Sequence, residues 1–509
     1  MLKSFSKIPD VRGELMNRVL LNAARLCAPI YRPDAIYTQD KNGWPGDWEG
    51  RTLLALVSHM KCLGKEPAYL SEILSGIPSH LNEKGYLGRI LPAGLFDEQQ
   101  LSGHNWLLRG LLEYYTLTKD EKVYSIAKSI VENLYLPLKG YYRDYPLDPK
   151  LRDRTGSYSG TVSDQIGNFI LSTDIGCAFM CLDGLSRFYE ISKDVKVLEL
   201  LKEMVSVFVT IDFVGTHMQT HATLSALRGI IYLYKSTGER YFLDSAVSIF
   251  EIYLSCGMTE NYANFNWFGR YDTWTEPCAI TDSLMVSTDL YKITGDVKYL
   301  TLANRIYFNA FCYAQRYNGG FGTDNAVGPA GKYLKPNGGG ISEAYWCCTM
   351  RGAEGLSCMC ENAVLTDDNG DVYIPFGGNF RCSGNGINLS FESKIPYDGY
   401  FKVTVTAFKN SEFHLMVYTG NGFKNISVKL NSGETKCFES SFEIKMHDEE
   451  AFTTAGIKHL YGNLLLGSKN PNVPPPYVIK GLENGLEPLS NMKDVMPEDV
   501  QYENRQILF

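Results

Sequence analysis

The sequence predicts a protein that is mainly α with a smaller β part: an (α/α)6 barrel, or toroid, followed by an antiparallel β-sandwich. Three observations lead to this fold class. A helical hairpin recurs along the first 365 residues, long aromatic and glycine-rich inserts separate its copies, and short alternating apolar runs replace the helical pattern afterwards.

The repeated unit is a pair of helices joined by a short polar turn. Its copies begin near Tyr115, Tyr189, Tyr234 and Tyr291, and a weaker copy begins near Met60. In each copy, as in YEISKDVKVLELLKEMV, the apolar end of one helix leads through a turn containing Lys, Gly, Asp or Glu into a second helix. The second helix carries apolar residues at i, i+3, i+4 and i+7.

The inserts between the copies favour a closed ring over an open solenoid. NGWPGDWEGR, GRILPAGLFDEQQLSGHNW and MTENYANFNWFGRYDTWTEPC are rich in aromatic residues and glycine. In a toroid such loops collect at one end of a central funnel. The sequence therefore predicts one α/α barrel over residues 1–365.

The rest of the chain has a different pattern. Runs such as INLSFESKI and YFKVTVTAF alternate apolar and polar residues and end at Gly, Asn or Asp. This pattern predicts a β-sandwich over 366–467. The proline-rich residues 468–509 are predicted to form an extension that packs on the surface.

Composition excludes several classes of partner. The net charge of −8 and the pI of about 5.6 provide no positive field for nucleic acid or an anionic membrane. No apolar run approaches the roughly 18 residues of a membrane span, and the first residues lack the apolar core of a signal peptide. Thirteen cysteines without a secreted-domain spacing suit a reducing compartment. We therefore expect a cytoplasmic protein, compatible with a homodimer.

Four residues form a candidate metal site. Pro277 favours extended geometry at Glu276, and residues two apart in an extended segment point to the same side, so Glu276 and Cys278 can serve one ion. Adding Cys347 and Cys348 gives three sulfurs and one oxygen, the donor number that zinc takes. The alternative is that Cys278 is a small core residue and Glu276 is solvated. A rival pair at 358–360 lies in a predicted helix, where i and i+2 diverge, which favours structural cysteines.

Other residues are candidates for acid/base work or sugar binding. The loop carboxylates are Asp47, Glu49, Glu260 and Glu343. Three histidines, His104, His217 and His221, lie near the inserts and could bind sugar hydroxyls or belong to the core. Aromatic side chains suit a sugar-binding cleft or a large core, and 13% of the chain is aromatic. The expected substrate-binding residues are His104, His217, His221, Trp48, Glu49 and Trp274.

GluProCys at 276–278 and CysCys at 347–348, on a helical repeat followed by a β-sandwich, together resemble the β-L-arabinofuranosidases of glycoside hydrolase family 127. The resemblance implies zinc held by Glu276, Cys278, Cys347 and Cys348. It also implies a retaining mechanism in which Cys347 is the nucleophile. Glu260, sixteen residues before Glu276, would be the acid/base. His104 would contact a carbohydrate substrate.

The chain also departs from the family pattern. Thr349, Met350 and Arg351 follow CysCys where Pro-Pro-Asn is usual, Pro277 replaces Ser or Thr, and Cys177 follows Gly176 where His is usual. The segment after Cys348 is a candidate for setting substrate preference. Two other functions stay open: a sugar epimerase or isomerase working through histidine pairs, and a non-catalytic carbohydrate-binding protein with a structural zinc.

Overall fold

The structure is a computed structural model that describes residues 1–5, 8–37, 43–152, 159–331 and 334–468, together with two short strands at 486–488 and 506–507. Its α-helices are α1 (Glu14–Arg25), α2 (Pro33–Ile36), α3 (Asp47–Leu63), α4 (Leu70–His80), α5 (Glu98–Thr118), α6 (Glu121–Ile130), α7 (Cys181–Ser192), α8 (Val195–Phe208), α9 (Thr220–Thr237), α10 (Arg240–Cys256), α11 (Pro277–Thr294), α12 (Val297–Ile306), α13 (Cys312–Ala314) and α14 (Cys348–Glu361).

Six of these helices form a closed inner ring in the order α3, α5, α7, α9, α11 and α14, with α14 packed again on α3. Helices α4, α6, α8, α10 and α12 each follow an inner helix as its hairpin partner, and α1 packs against α14. The predicted (α/α)6 barrel and its hairpins are confirmed. Residues at or just before the N-terminal ends of all six inner helices line one cleft, so these ends lie at the same end of the ring.

The repeated turn has a simple stereochemical basis. The residue that ends the inner helix is left-handed in all five hairpins named above, at Gly64, Lys119, Lys193, Gly238 and Gly295. In three of them the next residue is an aspartate whose carboxylate accepts a hydrogen bond from a backbone N–H of the following helix; these are Asp120, Asp194 and Asp296. A left-handed C-terminus followed by an Asp N-cap reverses the chain in two residues.

The inner helices are buried on almost every side because they touch both neighbours and the outer layer. Helices α3 and α5 come especially close at Gly50. A Cβ atom at Gly50 would lie 2.0 Å from the backbone nitrogen of Leu107. The contact therefore requires glycine.

The β part begins with the N-terminus. Its strands are β1 (Lys3–Ser4), β2 (Asp10–Arg12), β3 (Phe96–Asp97), β4 (Val162–Ile166), β5 (Phe169–Ser172), β6 (Leu365–Thr366), β7 (Val372–Ile374), β8 (Asn379–Gly384), β9 (Ile387–Ser393), β10 (Phe401–Ala407), β11 (Ser411–Tyr418), β12 (Phe423–Leu430), β13 (Thr435–Ser440), β14 (Met446–Glu450), β15 (Ile457–Tyr461), β16 (Leu464–Ser468), β17 (Leu486–Pro488) and β18 (Gln506–Ile507).

Two five-stranded sheets form the sandwich, in the orders β1-β6-β7-β11-β12 and β13-β10-β9-β8-β2. Their pairs are antiparallel except β7 with β11. In β10 buried residues alternate with partly exposed ones, as the sequence pattern predicts. The predicted division at residue 365 placed β1 and β2 with the barrel, whereas they complete the two sheets of the sandwich.

A third sheet, built from β14, β15 and β16, packs on the barrel. The Asn309 side-chain amide donates to the carbonyl of Asn463 over 2.8 Å, and Arg305 forms an ion pair with Glu449. Strands β17 and β18 both pair with β16. Apart from the start of that segment and these two strands, the predicted surface extension over 468–509 lies outside the described residues. Within the described part of the chain, no helix has both the length and the apolar character needed to cross a membrane.

Candidate active site

A cleft of about 290 Å³ opens at the N-terminal ends of the inner helices. All six helices, or the residues that lead into them, contribute to its wall. This axial cleft is lined by Trp44, Asp47, Trp48, Arg51, Ser102, Ser159, Gly160, Asp174, Met180, Gln219, His221, Glu276, Trp346 and Cys347. It combines indole rings, carboxylates and one thiol, a lining that suits a polar ligand with apolar faces.

The four predicted metal ligands meet at the wall of this cleft. One donor atom from each of Glu276, Cys278, Cys347 and Cys348 lies within 4.8 Å of the other three. The Sγ atom of Cys348 is 3.3 Å from that of Cys347 and 3.5 Å from that of Cys278. Three sulfurs and one carboxylate at this spacing fit a tetrahedral ion of the zinc type. The structure thus contains a candidate metal-binding cluster.

Two helix N-termini bring the ligands together. Glu276 is extended, as predicted, and is the N-cap of α11, whose first residue is Pro277. Cys278 therefore lies in the first helical turn and not in an extended segment as the sequence suggested. Cys347 is the N-cap of α14, and Cys348 is its first residue. Because α11 and α14 are adjacent in the ring, their first turns face each other.

The local electrostatics give the Cys347 thiol a lower pKa than the thiols of Cys278 and Cys348. Hydrogen bonds from Cys278 and Cys348, aided by the positive charge of Arg51, lower the pKa of Cys347 to about 6. Burial raises the pKa of Cys278 to about 11 and that of Cys348 well above its usual value. Cys347 is half-buried and lines the cleft, whereas the other two are fully buried. Cys347 is thus the thiol with access to a ligand.

His221 supports the cluster from α9. Its Nδ1 lies 3.2 Å from a carboxylate oxygen of Glu276, and its ring stacks on Trp106. Burial opposes protonation of His221, but the negative charges of Glu276 and Cys278 outweigh it and raise the pKa. Gln219 donates a 3.4 Å hydrogen bond to the other oxygen of Glu276. Both contacts fix the orientation of the Glu276 carboxylate.

A buried ion-pair network lies beneath the cleft, along the barrel axis. Its members are Arg109, Arg228, Arg351, Asp183, Asp282 and Glu354. Thr349, Met350 and Arg351 are each at most 1% exposed, so the segment after Cys348 underlies the cleft and does not line it. An influence of this segment on substrate preference would therefore act through the packing of α14 and not through a residue of the cleft lining. Its side chains anchor α14 and, through it, the two cysteines.

Two of the three candidate histidines lie elsewhere. His104 is fully buried, donates a hydrogen bond from Nδ1 to the backbone carbonyl of Gln100 and accepts one at Nε2 from the backbone N–H of Leu87. Both ring nitrogens are therefore occupied within the fold. His217 has a left-handed backbone and is hydrogen bonded to the carbonyl of Phe268. Neither residue lines the axial cleft.

Of the three remaining predicted substrate contacts, one lines the cleft and two do not. Trp48 lines the cleft and lies with its ring centroid 6.0 Å from that of Tyr345. Glu49 is 1% exposed and is not among the residues that line the cleft. Trp274 packs edge-on against Trp267 outside the cleft lining.

Glu260 is the largest departure from the expected site. Its side chain is fully buried, and its carboxylate contacts the tip of the β14–β15 hairpin. The backbone N–H groups of Phe452 and Thr453 each donate to it over 2.7 Å, as does the Thr453 hydroxyl. The Lys458 ammonium lies 3.8 Å away. The expected proton donor is therefore not among the residues that line the axial cleft.

Sequence reasoning missed nine of the residues that line the cleft, and five of them have side chains suited to binding a sugar: Trp44, Arg51, Asp174, Gln219 and Trp346. Of these five, Trp44 and Arg51 lie in the NGWPGDWEGR insert that was already singled out, and Trp346 immediately precedes Cys347. Gln219 lies between His217 and His221 in the sequence, so these two candidate histidines already marked its segment as part of the site. Asp174, in STDIGC, had no motif that could have identified it.

Comparison with known proteins finds a matching family model and similar solved structures. A sequence model described as the β-L-arabinofuranosidase, GH127 catalytic domain, matches residues 96–360. A solved structure titled as a GH127 β-arabinofuranosidase is similar with a TM-score of 0.67 at 14% identity, covering 92% of this chain and 85% of its own. The GH127 β-L-arabinofuranosidase of Geobacillus stearothermophilus T6 gives 0.63 at 12%, covering 90% and 86%. Among curated protein sequences, none matches this chain.

Proposed function

The chain belongs to glycoside hydrolase family 127 and is a glycoside hydrolase, and from that premise we propose that it is a retaining β-L-arabinofuranosidase with Cys347 as its nucleophile. The observation that carries the proposal is the Glu276–Cys278–Cys347–Cys348 cluster, whose most accessible thiol opens into the axial cleft.

Zinc is the ion that we assign to the cluster. Glu276, Cys278, Cys347 and Cys348 would hold it, and its charge would keep the thiols ionised at neutral pH. A site with four protein ligands is usually structural. Here two of the ligands, Glu276 and Cys347, line a cleft that can accept a sugar, and this supports a catalytic role as well.

The chain's own residues would divide the remaining tasks. The thiolate of Cys347 bonds to the anomeric carbon while the bond from that carbon to the leaving oxygen breaks and this oxygen takes up a proton. Water then bonds to the anomeric carbon of the thioglycosyl intermediate, loses a proton and displaces the Cys347 thiolate, with overall retention. Trp44, Trp48 and Trp346 offer ring faces for the apolar side of a sugar. Arg51 is fixed by Asp47 beside the thiols and favours the ionised form of Cys347.

Both alternative functions have less support. An epimerase or isomerase mechanism needs a pair of histidines, and of the three candidates only His221 lines the axial cleft. A purely structural zinc predicts that all four ligands are enclosed, whereas Cys347 is half-buried and lines the cleft.

The test combines metal analysis with turnover of an aryl β-L-arabinofuranoside. Wild type should contain about one zinc per chain and release the phenol, and Cys347→Ser should lose at least about 100-fold in turnover. Cys437→Ser is the matched control, because Cys437 is an exposed thiol on β13. Turnover by Cys347→Ser equal to that of the control would refute the nucleophile, and a wild type without metal would refute the zinc site.

A further inference from the structure

The barrel contains a second cavity at the end opposite the axial cleft. This basal cavity measures about 270 Å³ and is lined by residues from the middle to the C-terminal end of all six inner helices. The buried ion-pair network lies between the two spaces. Its member Asp282 lies 3.5 Å from His221 at the axial cleft, whereas its members Arg109 and Glu354 line the basal cavity. Among the described residues, none lines both spaces.

Cations outnumber carboxylates in the lining of the basal cavity. The cations are Lys61, Arg109, Arg187, Lys235 and Lys292. The carboxylates are Glu113, Asp289, Glu354 and Glu361. Each of these carboxylates already pairs with at least one of the cations. No carboxylate of the lining is therefore left to neutralise a further positive charge.

Lys292 is the cation without a carboxylate partner. Its ammonium donates a 2.8 Å hydrogen bond to the side-chain oxygen of Asn362, and among the described residues no carboxylate is in ion-pairing contact with it. Asp289, three residues earlier on α11, pairs with Lys235 over 2.6 Å. An ammonium group has three N–H donors, so two donors of Lys292 are available to a ligand.

Two guanidinium groups of the lining provide further donors. The Nε atoms of Arg109 and Arg187 are buried and have no hydrogen-bond partner among the described residues. Glu354 fixes Arg109 over 2.7 Å. Arg187 is fixed by Glu113 and by the exposed Glu190. A buried donor without an acceptor costs free energy, so both groups favour a ligand that carries acceptor oxygens.

The ends of the helices account for only part of this basic lining. Helix C-termini attract cations, and Lys61, Lys235 and Lys292 lie in the last turns of α3, α9 and α11. This attraction is confined to the last turn. Arg109 lies in the middle of α5, more than two turns before its end, and is beyond the reach of this effect.

The pKa values show that the cations act on the cavity together. Burial lowers the pKa of Lys235, and Lys292 and Arg187 lower it further against the opposing charge of Asp289. Burial opposes ionisation of Asp289, but Lys235 and Lys292 outweigh it and lower the pKa of this carboxyl. A second anion placed in the cavity would experience the same attraction.

We propose that the basal cavity binds a small oxyanion with two negative charges, carried by phosphate or carboxylate groups, with Lys292, Arg109 and Arg187 as its donors. Ammonium and guanidinium groups both bind such oxygens through charge-assisted hydrogen bonds. The cavity is much larger than a single water molecule needs, and Lys61 is 18% exposed at its rim, so a ligand can enter from solvent. The site is separate from the axial cleft, and the inference does not depend on the proposed activity.

The experiment is isothermal titration calorimetry on the full-length protein. The probes are inorganic phosphate and succinate, with the ionic strength held constant by sodium chloride. Lys292→Gln removes the unpaired cation, and Asn362→Asp neutralises it with a carboxylate instead. Lys429→Gln is the matched control, because it makes the same change of charge at an 80% exposed lysine on β12.

Wild type should bind about one equivalent of at least one probe with a Kd below about 1 mM. Lys292→Gln and Asn362→Asp should each weaken this binding about 10-fold or more, whereas Lys429→Gln should stay within about threefold of wild type. Tighter binding of phosphate would assign the site to phosphorylated ligands, and tighter binding of succinate to dicarboxylates. A Kd above about 1 mM for both probes, or equal binding by wild type and Lys292→Gln, overturns the inference.

Discussion

Replacing Glu260 by glutamine is expected to loosen the β14–β15 hairpin. Three short hydrogen bonds and the Lys458 ammonium converge on this carboxylate, and none of these contacts is exposed to solvent on the Glu260 side. Glutamine keeps the volume but offers one oxygen in place of two. Its amide nitrogen must face either the Phe452 N–H or the Thr453 donors, so at least one buried donor loses its acceptor.

The magnitude follows from these contacts. A buried donor without an acceptor costs about 1–3 kcal/mol, and removing one member of a buried ion pair costs about 3–5 kcal/mol. The two effects do not add fully, because burial already lowers the pKa of Lys458 to about 8 and the lysine can release its proton once its partner is neutral. We expect the hairpin to be destabilised by about 3 kcal/mol.

Hydrogen exchange measured by mass spectrometry on peptides from 446–461 detects this change directly. A loss of about 3 kcal/mol accelerates exchange at Phe452 and Thr453 on the order of 100-fold. Glu449→Gln is the matched control, because Glu449 lies on the same hairpin and pairs with Arg305 at a partly exposed position. The control should cost about 1 kcal/mol or less. Exchange in Glu260→Gln within about tenfold of wild type would refute a structural role for this carboxylate.

Three further outcomes are expected. Burial lowers the pKa of His104 to about 4, so on acidification the His104 side chain is protonated in the unfolded chain before it is protonated in the folded protein. The free energy of unfolding should therefore fall as the pH drops from about 6.5 to 4, by up to about 1.4 kcal/mol per pH unit. His104→Gln should show a shallower pH dependence of stability in urea unfolding. Chelation of the metal, or Cys278→Ser, should lower both the metal content and the urea midpoint, whereas Cys358→Ser, on the far part of α14, should keep the metal. Trp346→Ala should raise KM for aryl glycosides roughly 3–10-fold, because this ring lines the cleft beside Cys347. The free energy of unfolding should stay within about 0.5 kcal/mol of wild type, because the ring is 50% exposed. An unchanged KM would exclude Trp346 from sugar binding.

The barrel could be predicted because its signals are local and repeated. Each hairpin carries its own apolar stripe and its own turn, and the Asp caps at 120, 194 and 296 act within two residues of their position. The position of the N-terminal strands could not be predicted in this way. Lys3–Ser4 and Asp10–Arg12 acquire partners only from strands more than 350 residues later.

The site likewise has parts that the sequence indicates and parts that it does not. Residue type and motif indicated Glu276, Cys278, Cys347 and Cys348, because sulfur and carboxylate donors carry their chemistry wherever they lie. A motif does not indicate which way a side chain points. Glu260 has the expected spacing from Glu276, yet a hairpin almost 200 residues later in the chain binds its carboxylate.

The sequence by itself determined the helical repeat, the strand-rich second part and the identity of the cysteine and glutamate donors, since all of these follow from periodicity and side-chain chemistry. Only the tertiary structure decided which donors share a cleft. The closure of six helices into a ring brings Asp174 and Cys347 to opposite sides of one opening and turns His104 into the core. Such neighbourhoods depend on the packing of helices far apart in the chain, and no local pattern encodes them.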